Sequence, residues 1–251
     1  MGGHNGERGT RHLDFVCQSG WFDTLWLDME HFDIPVEQLA TLNMVARVYP
    51  VTLLARISAM DYRIVMQSLE TGIGGIICAM VNTGEQAKQI VNWARFNNPS
   101  PEEGESIGQR GYNAGNADAQ YGSITAADYI ARQNKETAIL CQIETEEAVN
   151  NVEDIVTVRG VTGLFFGPGD FAHSIGYAGQ IMHPDVLNAM KHIAKACEKH
   201  NKVWGTLGVG KEMYEKVRSL GAKFISPGGD VKVMRLGLEE LAKTFLDYGK
   251  K

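Results

Sequence analysis

The chain has 251 residues, a formal charge of −6, 44% hydrophobic residues and 22% charged residues. That length suits one large domain with a sizeable core, close to the ~250 residues of a single α/β barrel. The mild acidity weighs against nucleic acid or an anionic membrane as the main partner. No apolar run approaches the ~20 residues of a membrane span and "MGGHNGERGTRH" lacks a leader's apolar core, so a cytoplasmic location is expected.

In chain order, residues 1–11 are polar and glycine-rich and are expected to form a disordered tail on a single domain spanning 1–251. Leu13, Val16 and Cys17 follow at i, i+3 and i+4, a helical spacing. Then short, nearly continuous apolar runs alternate with longer amphipathic ones. The short runs are "TLWLDMEH", "VTLLARI", "GGIICAMV", "AILCQIE", "GLFFGPGD", "KVWGTLG" and "AKFISPGGD". They read as parallel strands covered on both faces, and the stretches between them as helices.

Val36, Leu39, Ala40 and Leu42 lead to Val45 and Ala46 at helical spacing. Thr83 and Gln86 form a capping box. Pro184 suits the first turn of a helix that runs towards His200. Cys17, Cys78, Cys141 and Cys197 show no paired spacing and read as reduced thiols, with Cys78 and Cys141 in the core.

Strands alternating with helices predict a TIM (β/α)₈-type barrel, which needs eight strands. Seven are readable. Either a poor first strand hides near Gly6–Arg11, or the barrel is incomplete. The irregular stretch from Asn97 to Gly122 is either a functional loop or a surface excursion.

In such barrels the chemistry sits at the C-terminal ends of the strands. Those ends carry Asp28, Glu30 and His31, then Arg56, then Gln142 and Glu144, then Asp170. Buried charges are costly unless paired or bound to metal, so stability alone is a poor explanation for them. Glu144 and Asp170 follow consecutive strands. They are either two oxygen donors for Mg²⁺ or Mn²⁺, or one carboxylate and an unrelated helix cap. Arg56 either grips a carboxylate or enolate oxygen with its planar fork or makes a structural ion pair. His31 is either a general base or a satisfied structural histidine. No strand run carries an interior lysine, which leaves Lys211 as the one poor candidate for a Schiff base.

The motifs "GWFDTLWLDMEH", "ARI", "AMVNT", "CQIETEEAVNNVEDI", "GVTGLFFGPGDFAHSIG" and "HPDV" run from about Gly20 to the C-terminus. With them the chain resembles the HpcH/HpaI family of class II pyruvate aldolases. The resemblance implies metal ligands at Glu144 and Asp170, and a divalent cofactor such as Mg²⁺, Mn²⁺ or Co²⁺. It implies that Arg56 holds the keto or enolate oxygen and that His31 is the base, paired with Glu70 where the family has an aspartate. Gln142, Asp28 and the Gly167 and Gly169 backbone of the "GPGD" turn are implied to meet the substrate. Ala79 replaces a family proline, and the family's first strand has no counterpart.

The implied reaction is cleavage of a 4-hydroxy-2-oxo acid to pyruvate and an aldehyde, or the reverse. The implied assembly is a homo-oligomer, a trimer or hexamer, with exchanged C-terminal helices. "VMRLGLEELAKTFLDY" is amphipathic and needs a surface, either a neighbour's or its own barrel's. Two alternatives stand beside this reading: an acyl-CoA lyase of related fold, and a barrel that binds a keto acid without turning it over.

Overall fold

A computed structural model describes residues 6–58, 60–97 and 108–248. The strands are β1 (Thr24–Asp28), β2 (Thr52–Ser58), β3 (Gly75–Ala79), β4 (Ala138–Ile143), β5 (Gly163–Phe166), β6 (Val203–Leu207) and β7 (Phe224–Ser226). The helices are α1 (Gly6–Gln18), α2 (Val36–Ala46), α3 (Tyr62–Glu70), α4 (Gly84–Ala94), α5 (Ala126–Glu136), α6 (Glu146–Asn150), α7 (Val152–Val156), α8 (Pro168–Ser174), α9 (Pro184–Lys199), α10 (Lys211–Ser219) and α11 (Asp230–Tyr248). All seven strands are parallel and lie in sequence order, so every crossover joins spatial neighbours.

The sheet curls without closing. β1 and β7 are its two edges, yet Trp26 of β1 and Phe224 of β7 bring their rings to 6.0 Å across the interior. This is a TIM-type barrel short of its first strand. Trp26, Leu54, Ile77, Leu140 and Phe165 fill the concave face, with the Trp26 and Phe165 rings edge to face at 4.8 Å. The larger core lies on the convex face, between sheet and helices.

Several local expectations hold. Thr83 and Gln86 form the capping box of α4, and Pro184 opens α9. The four cysteines are buried and free. The expected tail needs correction, because residues 6–11 belong to α1 and form no strand. Gly9 is one reason they can: a Cβ there would lie 3.3 Å from the Gln38 amide and 3.7 Å from Leu42 of α2, and glycine permits that approach. The first five residues of the tail lie outside the described residues. So do residues 98–107 of the irregular stretch after Asn97, whose described end closes in a 3₁₀ turn, Ala117–Gly122.

α11 settles where its own apolar face does not go. Residues 231–246 of the helix are all exposed, including Val233, Leu238, Leu241 and Phe245. Its own barrel does not cover it.

Candidate active site

Side chains alternate between the faces of a strand, so the interior set continues into the site two residues on. Trp26 leads to Asp28, Leu54 to Arg56, and Leu140 to Gln142 and then Glu144. Asp28 and Arg56 are register partners on β1 and β2. Asp28 Oδ1 accepts from Arg56 Nε at 2.9 Å, and Asp28 Oδ2 accepts from Arg56 Nη2. The same Oδ1 accepts the backbone N–H groups of Glu30 and His31, at 3.1 and 3.3 Å. One carboxylate therefore fixes both the arginine and the turn that presents Glu30 and His31.

Burial works to raise the Asp28 carboxyl, but the hydrogen bonds and charge of Arg56 and the two backbone donors hold it below its usual range. Burial works against the Arg56 charge, and the Asp28 hydrogen bond with the charges of Asp28, Glu30 and Glu144 overcomes it. The guanidinium also lies over the Trp26 ring, 5.6 Å from its centroid.

Glu144, just past β4, is only 2% exposed. Its Oε1 accepts the Met80 N–H at 2.7 Å, and its Oε2 accepts from Gln142 Nε2. Met80 holds φ +57, an uncommon value for a non-glycine residue, at the position where its N–H meets this carboxylate. Burial pushes the Glu144 carboxyl up to about 7. The charges of Glu30 and Asp170 push the same way, against the hydrogen bonds from Gln142 and Met80.

These residues fit a divalent cation. Three carboxylates, Glu30, Glu144 and Asp170, repel one another across the mouth. Two buried oxygens, Gln142 Oε1 and Glu30 Oε2, have no hydrogen-bond partner. Hard oxygen donors are what Mg²⁺ and Mn²⁺ take. Among the described residues no three His, Cys, Asp or Glu side chains gather as a ready cage. Gly167 gives Glu144 its room: a Cβ there would stand 2.8 Å from Glu144 Oε2 and 3.0 Å from its Cβ. Asp170 sits in the first turn of α8, exposed at the rim.

Four expected roles change. Glu70 ends α3, which runs from the C-terminal end of β2 back to the start of β3, so it lies at the far end of the sheet from His31. There it accepts from Asn116 Nδ2 at 3.0 Å, among the charges of Arg110 and Asp118. The expected His31–Glu70 pair is not formed within one chain. The Gly167 N–H is spent on Ile143 O at 2.9 Å, so only Gly169 of the two glycines keeps a first-turn N–H for a substrate. Both Asp28 oxygens already accept hydrogen bonds, from Arg56 and from the N–H groups of the turn. Lys211 opens α10 with an exposed side chain 3.8 Å from Glu215, so it offers no buried amine.

One residue gained a place that sequence reasoning did not assign. Glu30 Oε2 lies 3.8 Å from His31 Nε2 and 3.4 Å from Arg56 Nε. Glu30 and His31 line a groove of about 670 Å³ with Phe32, Ser58, Arg63 and Gln67. The signal was available: an Asp that accepts from the residues two and three positions on makes D-x-E-H a single turn.

Comparisons with known proteins identify the family and the fold. The family described as HpcH/HpaI aldolase/citrate lyase matches residues 16–236. A 5-keto-4-deoxy-D-glucarate aldolase of Klebsiella pneumoniae subsp. pneumoniae is 34% identical over 224 residues, 89% of this chain and 84% of the relative. A solved HpcH/HpaI aldolase/citrate lyase family protein of Burkholderia cenocepacia J2315 is 28% identical, with TM-score 0.83, covering 93% of this chain and 90% of its own. An HpcH/HpaI aldolase of Desulfitobacterium hafniense DCB-2 superposes with TM-score 0.85 at 24% identity, covering 94% and 88%.

Proposed function

The chain belongs to the HpcH/HpaI aldolase/citrate lyase family, and from that premise we propose that it is a metal-dependent class II aldolase. It cleaves 4-hydroxy-2-oxo acids to pyruvate and an aldehyde, or runs the condensation. The substrate named for the Klebsiella relative, 5-keto-4-deoxy-D-glucarate, is such an acid when numbered from its keto end.

The observation that carries the reading is buried Glu144, seated under Gly167 and facing Arg56, Glu30 and Asp170 across the mouth. Glu144 and Asp170 would hold Mg²⁺, Mn²⁺ or Co²⁺. When bound, the ion would polarise the 2-oxo group and offset the negative charge that collects there. Arg56, braced by Asp28, meets the charge developing on the keto oxygen. Gln142 orders Glu144 and keeps Oε1 for the bound acid or its water. His31 stands exposed at the rim and takes the proton of the C4 hydroxyl. The C3–C4 bond then breaks, its electron pair passes to the 2-oxo end, the aldehyde leaves, and a proton returns to C3.

A second reading has one observation in its favour. The unpaired edges of β1 and β7 leave the barrel open on one side, which suits a chain that binds a keto acid without cleaving it. Pyruvate α-proton exchange in deuterated water separates the two, because it needs only the enolising half of the site. The test is release of pyruvate from a panel of 4-hydroxy-2-oxo acids, read with lactate dehydrogenase. Aldol turnover supports the aldolase; exchange with no cleavage of any acid supports the binding barrel.

The exposed apolar α11 is the reason to propose a homo-oligomer in which a neighbouring copy covers that helix. The work would be done in the cytoplasm; no described helix is long and apolar enough to cross a membrane.

A further inference from the structure

The residues at the barrel mouth account for the substrate as far as C4, and the carbons beyond C4 must also be held. His31 gives their direction, because it works at C4 and lines the groove of about 670 Å³. The β2 strand gives their depth. Leu54, Arg56 and Ser58 alternate onto one face, which sets Ser58 roughly 7 Å past Arg56 along the strand. An extended run of four carbon–carbon bonds, from the keto carbon to C6, covers ~5 Å. With Arg56 at the keto oxygen and the chain running outward, C6 comes close to the level of Ser58, which lines the groove. The charges there are one-sided. Glu30, Asp33 and Glu37 all line the groove, and Arg63 is the one arginine or lysine among its described lining residues. Arg63 stands exposed in the first turn of α3, and none of the described carboxylates forms an ion pair with it. Its Nε donates to Gln67 Oε1 at 3.1 Å, which steadies the side chain and keeps the Nη pair for a ligand.

We propose that Arg63 receives the far carboxylate of the substrate, so that the chain selects 4-hydroxy-2-oxo acids that carry a second carboxylate at C6. The inference rests on the aldolase reading above and names its substrate class. A guanidinium meets a carboxylate through two parallel charge-assisted hydrogen bonds, which an alcohol or methyl end cannot match. The two helices beside the groove work the same way. α2 and α3 both begin there, and the start of a helix favours negative charge. The three groove carboxylates sharpen the choice, since they repel an anionic tail that stops short of Arg63.

The test compares two acids on the whole protein with MnCl₂: 5-keto-4-deoxy-D-glucarate, and its analogue with a C6 alcohol in place of the far carboxylate. Wild type should prefer the diacid. Arg63→Gln should lower kcat/KM on the diacid roughly tenfold to a hundredfold, through KM, and leave the alcohol analogue unchanged. Arg63→Lys, which keeps the charge without the fork, should recover part of the loss. Pyruvate α-proton exchange, which does not involve the far end of the substrate, should be the same in all three proteins. Equal wild-type activity on the two acids, an equal loss on both in Arg63→Gln, or a change in pyruvate exchange would overturn the assignment while leaving the aldolase reading in place. If wild type cleaves neither acid, nor any other 4-hydroxy-2-oxo acid, the aldolase reading itself falls and takes this inference with it.

Discussion

Glu144→Gln isolates the most deeply buried carboxyl in the site, and its effect on stability can be worked from the structure. The carboxyl is 2% exposed and titrates at about 7 in the fold, against an ordinary value of 4.5. Between those values the unfolded chain has released the proton while the metal-free fold still holds it. The folded state binds more protons there, so stability falls as pH rises from 4.5 to 7 and then stays level. At ~1.4 kcal/mol per pH unit, the loss attached to this one group is about 3 kcal/mol. Glutamine cannot ionise, so the variant escapes that loss. Metal-free wild type should therefore lose about 3 kcal/mol more stability than Glu144→Gln between pH 4.5 and pH 8, or about 6–12 °C in Tm for a chain of this size. Millimolar Mg²⁺ at pH 8 should restore wild type and leave the variant unmoved. Thermal unfolding by circular dichroism, in chelator and in Mg²⁺, measures all of this. Parallel pH curves for the two proteins would refute the idea that Glu144 is a buried carboxyl waiting for a cation.

Other expectations follow from the same contacts. Arg56→Lys keeps a charge but loses the two-pronged grip of Asp28, so turnover should fall at least a hundredfold while the thermal midpoint moves little; unchanged turnover in a steady-state assay would remove Arg56 from the reaction. Gly167→Ala puts a methyl against Glu144 Oε2 and should weaken Mn²⁺ binding tenfold or more by titration calorimetry; native affinity would show that Glu144 does not need that space. Light scattering should give a trimer or hexamer, because eight exposed apolar side chains of α11 (Val231, Val233, Met234, Leu236, Leu238, Leu241, Phe245 and Leu246) need a cover. A monomer at working concentration would contradict the proposed assembly.

The fold was legible because parallel strands buried on both faces write themselves as short apolar runs, and each run became a strand. The missing first strand was equally visible as a stretch with no such run. What deceived was local propensity. Gly6, Gly9 and their polar neighbours are poor helix formers, yet α1 includes them because its inner face packs on α2, and tertiary packing outweighs propensity.

At the site, the strand-end rule brought Asp28, His31, Arg56, Gln142, Glu144 and Asp170 into one region. The rule also contained the correction for Glu70, since the last residue of a crossover helix lies at the opposite end of the sheet from the strand tips. Glu30 was passed over because burial and the neighbouring guanidinium, which give it meaning, are long-range facts. The spent N–H of Gly167 depends likewise on the pairing of β5 with β4, which spacing alone does not reveal.

The central claim is that two carboxylates and a bound divalent ion cleave a bond next to pyruvate. The most direct test follows pyruvate release from 5-keto-4-deoxy-D-glucarate before and after exhaustive chelation, with circular dichroism recorded on the same samples. The account predicts that activity vanishes, that the spectrum does not change because the barrel core owes nothing to the ion, and that Mg²⁺, Mn²⁺ or Co²⁺ restores turnover. Full activity in the chelated protein would contradict it.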